Sequence, residues 1–422
     1  MGIGDIKTRI YSVFPALSHR NFRLFWTGQC VSLIGTWMQN IGQSWLVLQL
    51  TNSSFKLGLV SAMQFLPMML FALFAGTLVD KLPKRTVLIF TQSSLAVLAT
   101  ILASLTFFNL IQYWHLLVLA ALLGIVNTLD MPTRQSFFIE LVGKEDLMNA
   151  IGLNSSIFNL ARIIGPAVAG FLIALVGIGP CFYLNSLSFL AVIVGLRMMD
   201  IQAPVVKATV NKTVKSVIVD IRAGLTYIKS KTLIFYPLLL LAVISTFVFN
   251  FNVLVPIFAK QNLGQNAAGY GFMMTSIGIG SLIGALLITA RSKTGPKLKY
   301  LLGGALGMCV FLAILGFEKN YALACVTLLI LGFCSILFTT LVNSTIQLTA
   351  ADSMRGRVMS VFSLVFGGVT PIGSLYTGKL TEVVGAPGCM IISGTIGILG
   401  TLFVMFRLKA RQVIKSDPAP YR

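Results

Sequence analysis

Twelve apolar runs, each close to the length of a bilayer crossing, alternate with short polar breaks along the 422 residues of this chain. A helix needs roughly 20 apolar residues to cover the hydrocarbon layer. The runs fall at about residues 22–50, 55–78, 87–108, 114–133, 147–176, 178–197, 233–258, 268–290, 297–317, 321–345, 357–380 and 387–407. Composition agrees: 10% of residues are charged and the mean hydropathy is +0.88, whereas soluble domains are about a quarter charged. The pattern predicts an all-α polytopic membrane protein with twelve transmembrane helices.

The basic residues are sorted by break. Of 32 Lys and Arg, 27 lie in the N-terminal tail, the even-numbered breaks and the C-terminal tail. The other side carries Lys56, Lys260, Lys319 and Lys379, and Arg162 lies inside a run. The positive-inside rule therefore predicts both termini in the cytoplasm. The net charge of +20 follows the parity of the breaks and forms no separate basic domain, which argues against nucleic-acid binding. The first run is too long for the apolar part of a cleaved signal and is expected to be an uncleaved anchor. Six cysteines are scattered through apolar runs without C-x-x-C spacing, and His19 and His115 stand far apart. No metal site, cofactor or disulfide frame is expected.

The runs group six and six around the longest polar break. This predicts an N-terminal bundle over 1–197, a linker over 198–232, a C-terminal bundle over 233–407 and a cytoplasmic tail over 408–422. Within the linker Val214, Val217, Ile218, Ile221, Leu225 and Ile228 recur at helical spacing with basic residues between them. That predicts an amphipathic helix on the anionic inner leaflet, serving mainly as a tether. Arg162-Ile-Ile-Gly165-Pro166 in the fifth run echoes Gly367-Gly368-Val-Thr-Pro371-Ile-Gly373 in the eleventh, 205 residues on. Two similar halves imply pseudo-symmetry and a substrate site near mid-membrane.

The break after the second run reads Gly76-Thr-Leu78-Val-Asp80-Lys81-Leu-Pro83-Lys84-Arg85. It resembles motif A of the major facilitator superfamily, with Pro83 in place of the second glycine. The resemblance implies that Gly76, Asp80, Lys84, Arg85 and Asp130 govern closure of the inner side, with Lys84 paired to Asp130. Gly152, Ala161, Gly165-Pro166 and Ala169-Gly170 resemble motif C of the superfamily's exporters, two glycines having become alanine. Asn21-Phe22-Arg23-Leu24-Phe25-Trp26, Asp130-Met-Pro132-Thr-Arg134 and Arg355-Gly356-Arg357 are similar to the enterobactin-exporter-like branch, the drug:proton antiporter-3 group. This resemblance runs nearly end to end. It implies the major facilitator fold, with two six-helix pseudo-symmetric bundles. It also implies secondary active export of siderophore-like or drug-like amphipathic molecules by alternating access, with protons as the coupling ion. The setting it implies is a monomer in a bacterial plasma membrane.

Polar residues inside the runs predict a cavity. Gln29, Ser32, Thr36, Gln39 and Gln43 recur on one face of the first helix. Asn250, Asn343 and Gln347 are the candidates in the second half. Arg162 lies near mid-depth, where a charge is costly and points to function. Asp80 and Asp130 are placed near cytoplasmic ends and Glu382 near the outer end, leaving Arg162 without an acid at its depth. Arg162 is therefore expected to meet an anionic or strongly polar group of the substrate, and substrates are expected to be neutral or anionic. Gly373-x4-Gly378-Lys379 lacks the Ser/Thr of a phosphate loop, so ATP hydrolysis is not expected. Two other readings keep the twelve helices: a lipid or lysophospholipid flippase, and a non-transporting receptor or scaffold. No acid/base constellation points to an enzyme.

Overall fold

The computed structural model of the chain describes residues 11–79, 81–200, 214–290 and 295–410; at 72–73, 76–77 and 214–221 it describes the helix alone. After a short turn at Pro15–Ser18 come α1 (Arg20–Thr51), α2 (Ser54–Val79), α3 (Lys84–Phe107), α4 (Tyr113–Val142), α5 (Leu147–Val176) and α6 (Ile178–Arg197). The linker contributes α7 (Val214–Ser230). The remaining helices are α8 (Thr232–Phe247), α9 (Phe251–Gln261), α10 (Ala267–Ala290), α11 (Leu298–Leu315), α12 (Tyr321–Thr349), α13 (Asp352–Phe366) and α14 (Thr370–Ala410).

Among the described residues, ten stretches are long and apolar enough to cross a membrane. The last of them, Asp352–Ala410, runs for 59 residues and turns at Gly385, where φ is 74°. At 1.5 Å per residue that length covers more than two bilayers, so it makes two crossings. α1 completes the twelve. Its glutamines dilute its apolarity, but Gln29, Gln39 and Gln43 are all buried against protein.

α4 runs nine residues past its expected end at 133, to Val142. Pro132 does not stop it, and Arg134 lies within the helix rather than in a break. Packing explains the extension. The last turns bury Phe137, Phe138, Leu141 and Val142 in one core with Phe22, Phe25 and Leu88. Phe25 meets both Phe137 and Phe138 edge to face, at 5.5 and 5.9 Å.

The chain divides into two compact units: Met1–Gln43 with Leu70–Asn211, and Ser44–Met69 with Lys212–Arg422. In the first, α1 and α6 run antiparallel along glycines spaced by seven. Gly28 faces Ala191 and Val192, Gly35 faces Asn185 and Ser188, and Gly42 faces Phe182 and Ile178. A Cβ at Gly35 would stand 2.6 Å from the Ser188 hydroxyl. α3 is bonded to the same α6 by Thr100 to Ser186 (2.6 Å) and Ser104 to Tyr183 (2.9 Å).

In the second unit, Gly280 and Gly332 bring α10 onto α12, where the Ser281 hydroxyl donates to the Gly332 carbonyl at 3.0 Å. The segment Ser44–Met69 packs here as well. Gly58 crosses α14 at Ser374 and Gly378, Ser61 bonds Ser374 at 2.9 Å, and Trp45 stacks on Tyr270. Lys260 at the end of α9 donates to the Leu48 carbonyl at 2.8 Å and to Asn52 at 3.3 Å. It caps the carbonyl end of α1, where a cation is favoured.

The linker helix forms as expected, and its final turns dock on α13. Tyr227 accepts a hydrogen bond from the Ala351 N–H (3.0 Å), and Gly224 lies against Arg357. Ile228 is buried there, while Arg222, Leu225 and Lys229 remain exposed. The sequence wheel had grouped Leu225 with Ile228; docking separates them.

Overpacking a close helix crossing costs about 1–3 kcal/mol. Gly35→Leu should therefore lower the thermal unfolding midpoint in detergent. Gly303→Leu, at a glycine with no atom within 4 Å of its Cβ position, should leave the midpoint unchanged.

Candidate functional site

The first unit holds a buried polar network at the centre of α4. Asp130 is the eighteenth of 30 residues in that helix and is 2% exposed. Its carboxylate accepts from Thr91 (2.6 Å) and Gln92 (2.8 Å) on α3. It also pairs with Arg134 one turn on, and Arg134 reaches across to the Gln29 amide oxygen of α1. Two helices therefore meet at one carboxylate, and Arg134 joins a third to it.

This placement corrects two expectations. Asp130 stands near the middle of its helix, twelve residues before the end of α4, rather than at a helix end. Lys84 does not pair with Asp130; it pairs with Glu140, in the last turn of α4. Lys84 opens α3, and the added turns of α4 bring Glu140, ten residues beyond Asp130, to it instead. Arg85 donates to the carbonyls of Leu196 (2.8 Å) and Arg197 (3.0 Å), capping the end of α6. Pro83 takes φ −62° and ψ 112° and stands just before α3. A proline's fixed φ suits a helix start, so the loop does without the second glycine. Gly76 falls in the last turn of α2, and Asp80 lies outside the described residues.

Arg162 is the sixteenth of 30 residues in α5, at its centre. Its guanidinium donates to the Asn159 side chain at 3.1 Å, one turn away on the same helix, and its Nε is buried without an acceptor. Among the described residues no carboxylate pairs with it. On the C-terminal side, Gly165 packs on Ile34, Trp37 and Met38 of α1, and Pro166, Ala169 and Gly170 are buried. Gly152 is different: a Cβ there meets nothing within 4 Å. Motif C is thus a packing surface over its second part only.

The polar stripe on α1 turns inward to protein. Gln29, Ser32, Gln39 and Gln43 are buried, with Gln29 bonded to Arg134 and Gln39 to Asn185 (2.6 Å). Thr36 bonds the Ser32 carbonyl of its own helix. In the second unit, Asn250 is buried where the seventh crossing breaks between α8 and α9. Its amide donates to the freed Thr246 carbonyl at 2.8 Å, and Gly373 backs onto both. Gln347 is exposed and donates to Asn343 on the same helix. The break at Val248–Asn250, Glu140 as the Lys84 partner and Arg134 as the Asp130 partner were missed from sequence. The i,i+4 spacing of Asp130 and Arg134 was the available signal for the last.

Arg134→Gln strands the Asp130 carboxylate. Removing one partner of a buried pair costs about 3–5 kcal/mol, less the share that Arg134's partial exposure already screens. A clear drop in unfolding temperature is expected, with much of it recovered in Asp130→Asn/Arg134→Gln.

A family model described as transmembrane secretion effector matches residues 11–421. The chain is 26% identical over 387 residues to a staphyloferrin A transporter of Staphylococcus aureus, covering 91% of this chain and 95% of that one. It is 22% identical over 378 residues to macrolide efflux protein A of Streptococcus pyogenes, covering 89% and 93%. Among solved structures, the nucleoside transporter NupG superposes with a TM-score of 0.72 at 14% identity, covering 92% of this chain and 98% of that one; this likeness concerns the fold. The chain is a multi-pass membrane protein of the major facilitator fold and belongs to the transmembrane secretion effector family of that superfamily.

Proposed function

We propose that this protein is a secondary exporter of small amphipathic molecules bearing an oxyanion, working by alternating access in a bacterial plasma membrane with both termini cytoplasmic. The observation that carries the reading is the charge balance at the middle of the helices of the first unit. Asp130 and Arg134 neutralise each other, whereas among the described residues no acid pairs with Arg162. The excess is one positive charge at the depth where this fold places substrate. The buried acid that the sequence reading had placed elsewhere therefore leaves the preference for neutral or anionic cargo intact. Relatives named for a siderophore and for macrolides support export of organic molecules.

Asp130 is the proposed proton carrier. Protonation would remove its charge from Arg134 and loosen the tie that Arg134 makes to α1 through Gln29. That would couple proton binding to the packing of α1, α3 and α4. Lys84–Glu140 and the Arg85 cap are the proposed fastenings of the cytoplasmic end.

The test is an efflux panel in an efflux-deficient bacterium, covering polycarboxylate chelators, neutral macrocycles, cationic dyes and a labelled phospholipid. Wild-type protein should export the polycarboxylates, and Arg162→Ala should lose that export by at least tenfold at unchanged membrane abundance. Cation export indifferent to Arg162→Ala would overturn the reading, and movement of the phospholipid alone would replace it with a flippase. Asp130→Asn is expected to abolish uphill export while leaving downhill flux; full uphill activity would remove Asp130 as the proton carrier.

A further inference from the structure

The N-terminal half of α5 carries a polar face whose side chains bond only to their own helix. Gly152, Ser155 and Ser156 are exposed, and Asn159 and Arg162 are partly so, inside a 30-residue apolar crossing. At 100° per residue these five positions fall within a sector of about 120° on the helix. Their hydrogen bonds all stay on α5. Ser155 donates to the Ile151 carbonyl and Ser156 to the Gly152 carbonyl, both at 3.0 Å. Asn159 donates to the Ser155 carbonyl (2.9 Å), and Arg162 to Asn159. The α1 stripe is the contrast, because Gln29 and Gln39 bond across to other helices and are buried.

Polar side chains exposed at membrane depth are tolerated where they line water, and are costly against lipid. The same sector closes just beyond Arg162, where Pro166 and Gly170 are buried. The open face is thus blind-ended, about 15 Å long from Gly152 to Arg162 at 1.5 Å per residue. Hydroxyls and an amide line it, and a cation sits at its deep end. Ile151 and Phe158, also exposed, flank it with apolar surface.

We infer that this face is the route by which the oxyanion end of the substrate reaches Arg162, with Asn159 as a positioning residue that orients the guanidinium. The inference rests on the proposed function and extends it by naming the path and its charge preference. Carboxylates and sulfonates fit, with an apolar body lying along Ile151 and Phe158. Water enters from the Leu147 end, which the charge bias assigns to the cytoplasm.

The experiment is cysteine labelling of the full-length protein in inside-out vesicles, with wild type correcting for the native cysteines. Gly152→Cys, Ser155→Cys, Ser156→Cys and Asn159→Cys are reacted with membrane-impermeant methanethiosulfonates carrying either a sulfonate or a quaternary ammonium. All four should label, whereas Gln39→Cys should not. The ratio of sulfonate to ammonium rates should rise at least fivefold from Gly152→Cys to Asn159→Cys, and that rise should vanish when Arg162→Gln is added. Absence of labelling at all four positions would overturn the inference by placing the face in lipid. Labelling without the Arg162-dependent charge preference would overturn it equally. The readout needs no transport, so a labelled path in a protein that exports nothing sinks the exporter reading and spares the path.

Discussion

Every polar group inside a membrane crossing must find a partner on its own helix, on a neighbour or in water. That single requirement sorts the interior of this protein. Threonines at 36, 128 and 133 return their hydroxyls to the carbonyl four residues back and ask nothing of other helices. Gln29 and Gln39 cross to Arg134 and Asn185 and so tie α1 to α4 and α6. Asp130 takes three donors from two helices and is thereby sealed. Arg162 has one bond along its own helix and a buried Nε with none. Buried atoms without a partner also remain on Gln29, Gln92 and Arg134, but among the described residues Arg162 differs from Arg134 in having no carboxylate beside it.

The neighbours that supply those partners are chosen by close approach. Between helices in lipid there is no hydrophobic drive, and small residues decide how near two backbones come. Gly28, Gly35 and Gly42 recur every seven residues, about two turns, and keep one seam of α1 against α6. In the second unit Gly280 and Gly332 do the same for α10 and α12, and Gly373 fits against the broken seventh crossing at Asn250. A broken helix in the bilayer is stable only where protein or water satisfies the freed carbonyls. Here the Asn250 amide takes up that of Thr246, which is why an asparagine sits at the break.

These two rules together give the first unit its functional asymmetry. α5 has a seam of small buried residues at Gly165, Pro166, Ala169 and Gly170 and a polar, open face before it, and Arg162 stands at the boundary. A motif of small residues that reads as one feature in sequence therefore serves two purposes: Gly165 is a contact, and Gly152 is a clearing. The ends of the same bundle are held by charge. Lys84 meets Glu140, and Arg85 covers the carbonyl end of α6, where a cation complements the helix dipole.

The twelve crossings, the linker helix and the central position of Arg162 were legible from the sequence, because length, hydropathy and charge parity act locally and need no knowledge of neighbours. The course of α4 was not. Pro132 and Arg134 look like a helix end until Phe137 and Phe138 are seen packed on Phe22 and Phe25, over a hundred residues away. The stripe on α1 had the right period for a face, but period alone does not say whether a face meets protein or water. Burial assigned Gln29 and Gln39 to packing and left Ser155, Ser156 and Asn159 open. The sequence by itself determined what each helix carries. Only the tertiary structure decided which groups pair, since hydrogen-bond partners on separate helices are joined by geometry that no local pattern encodes.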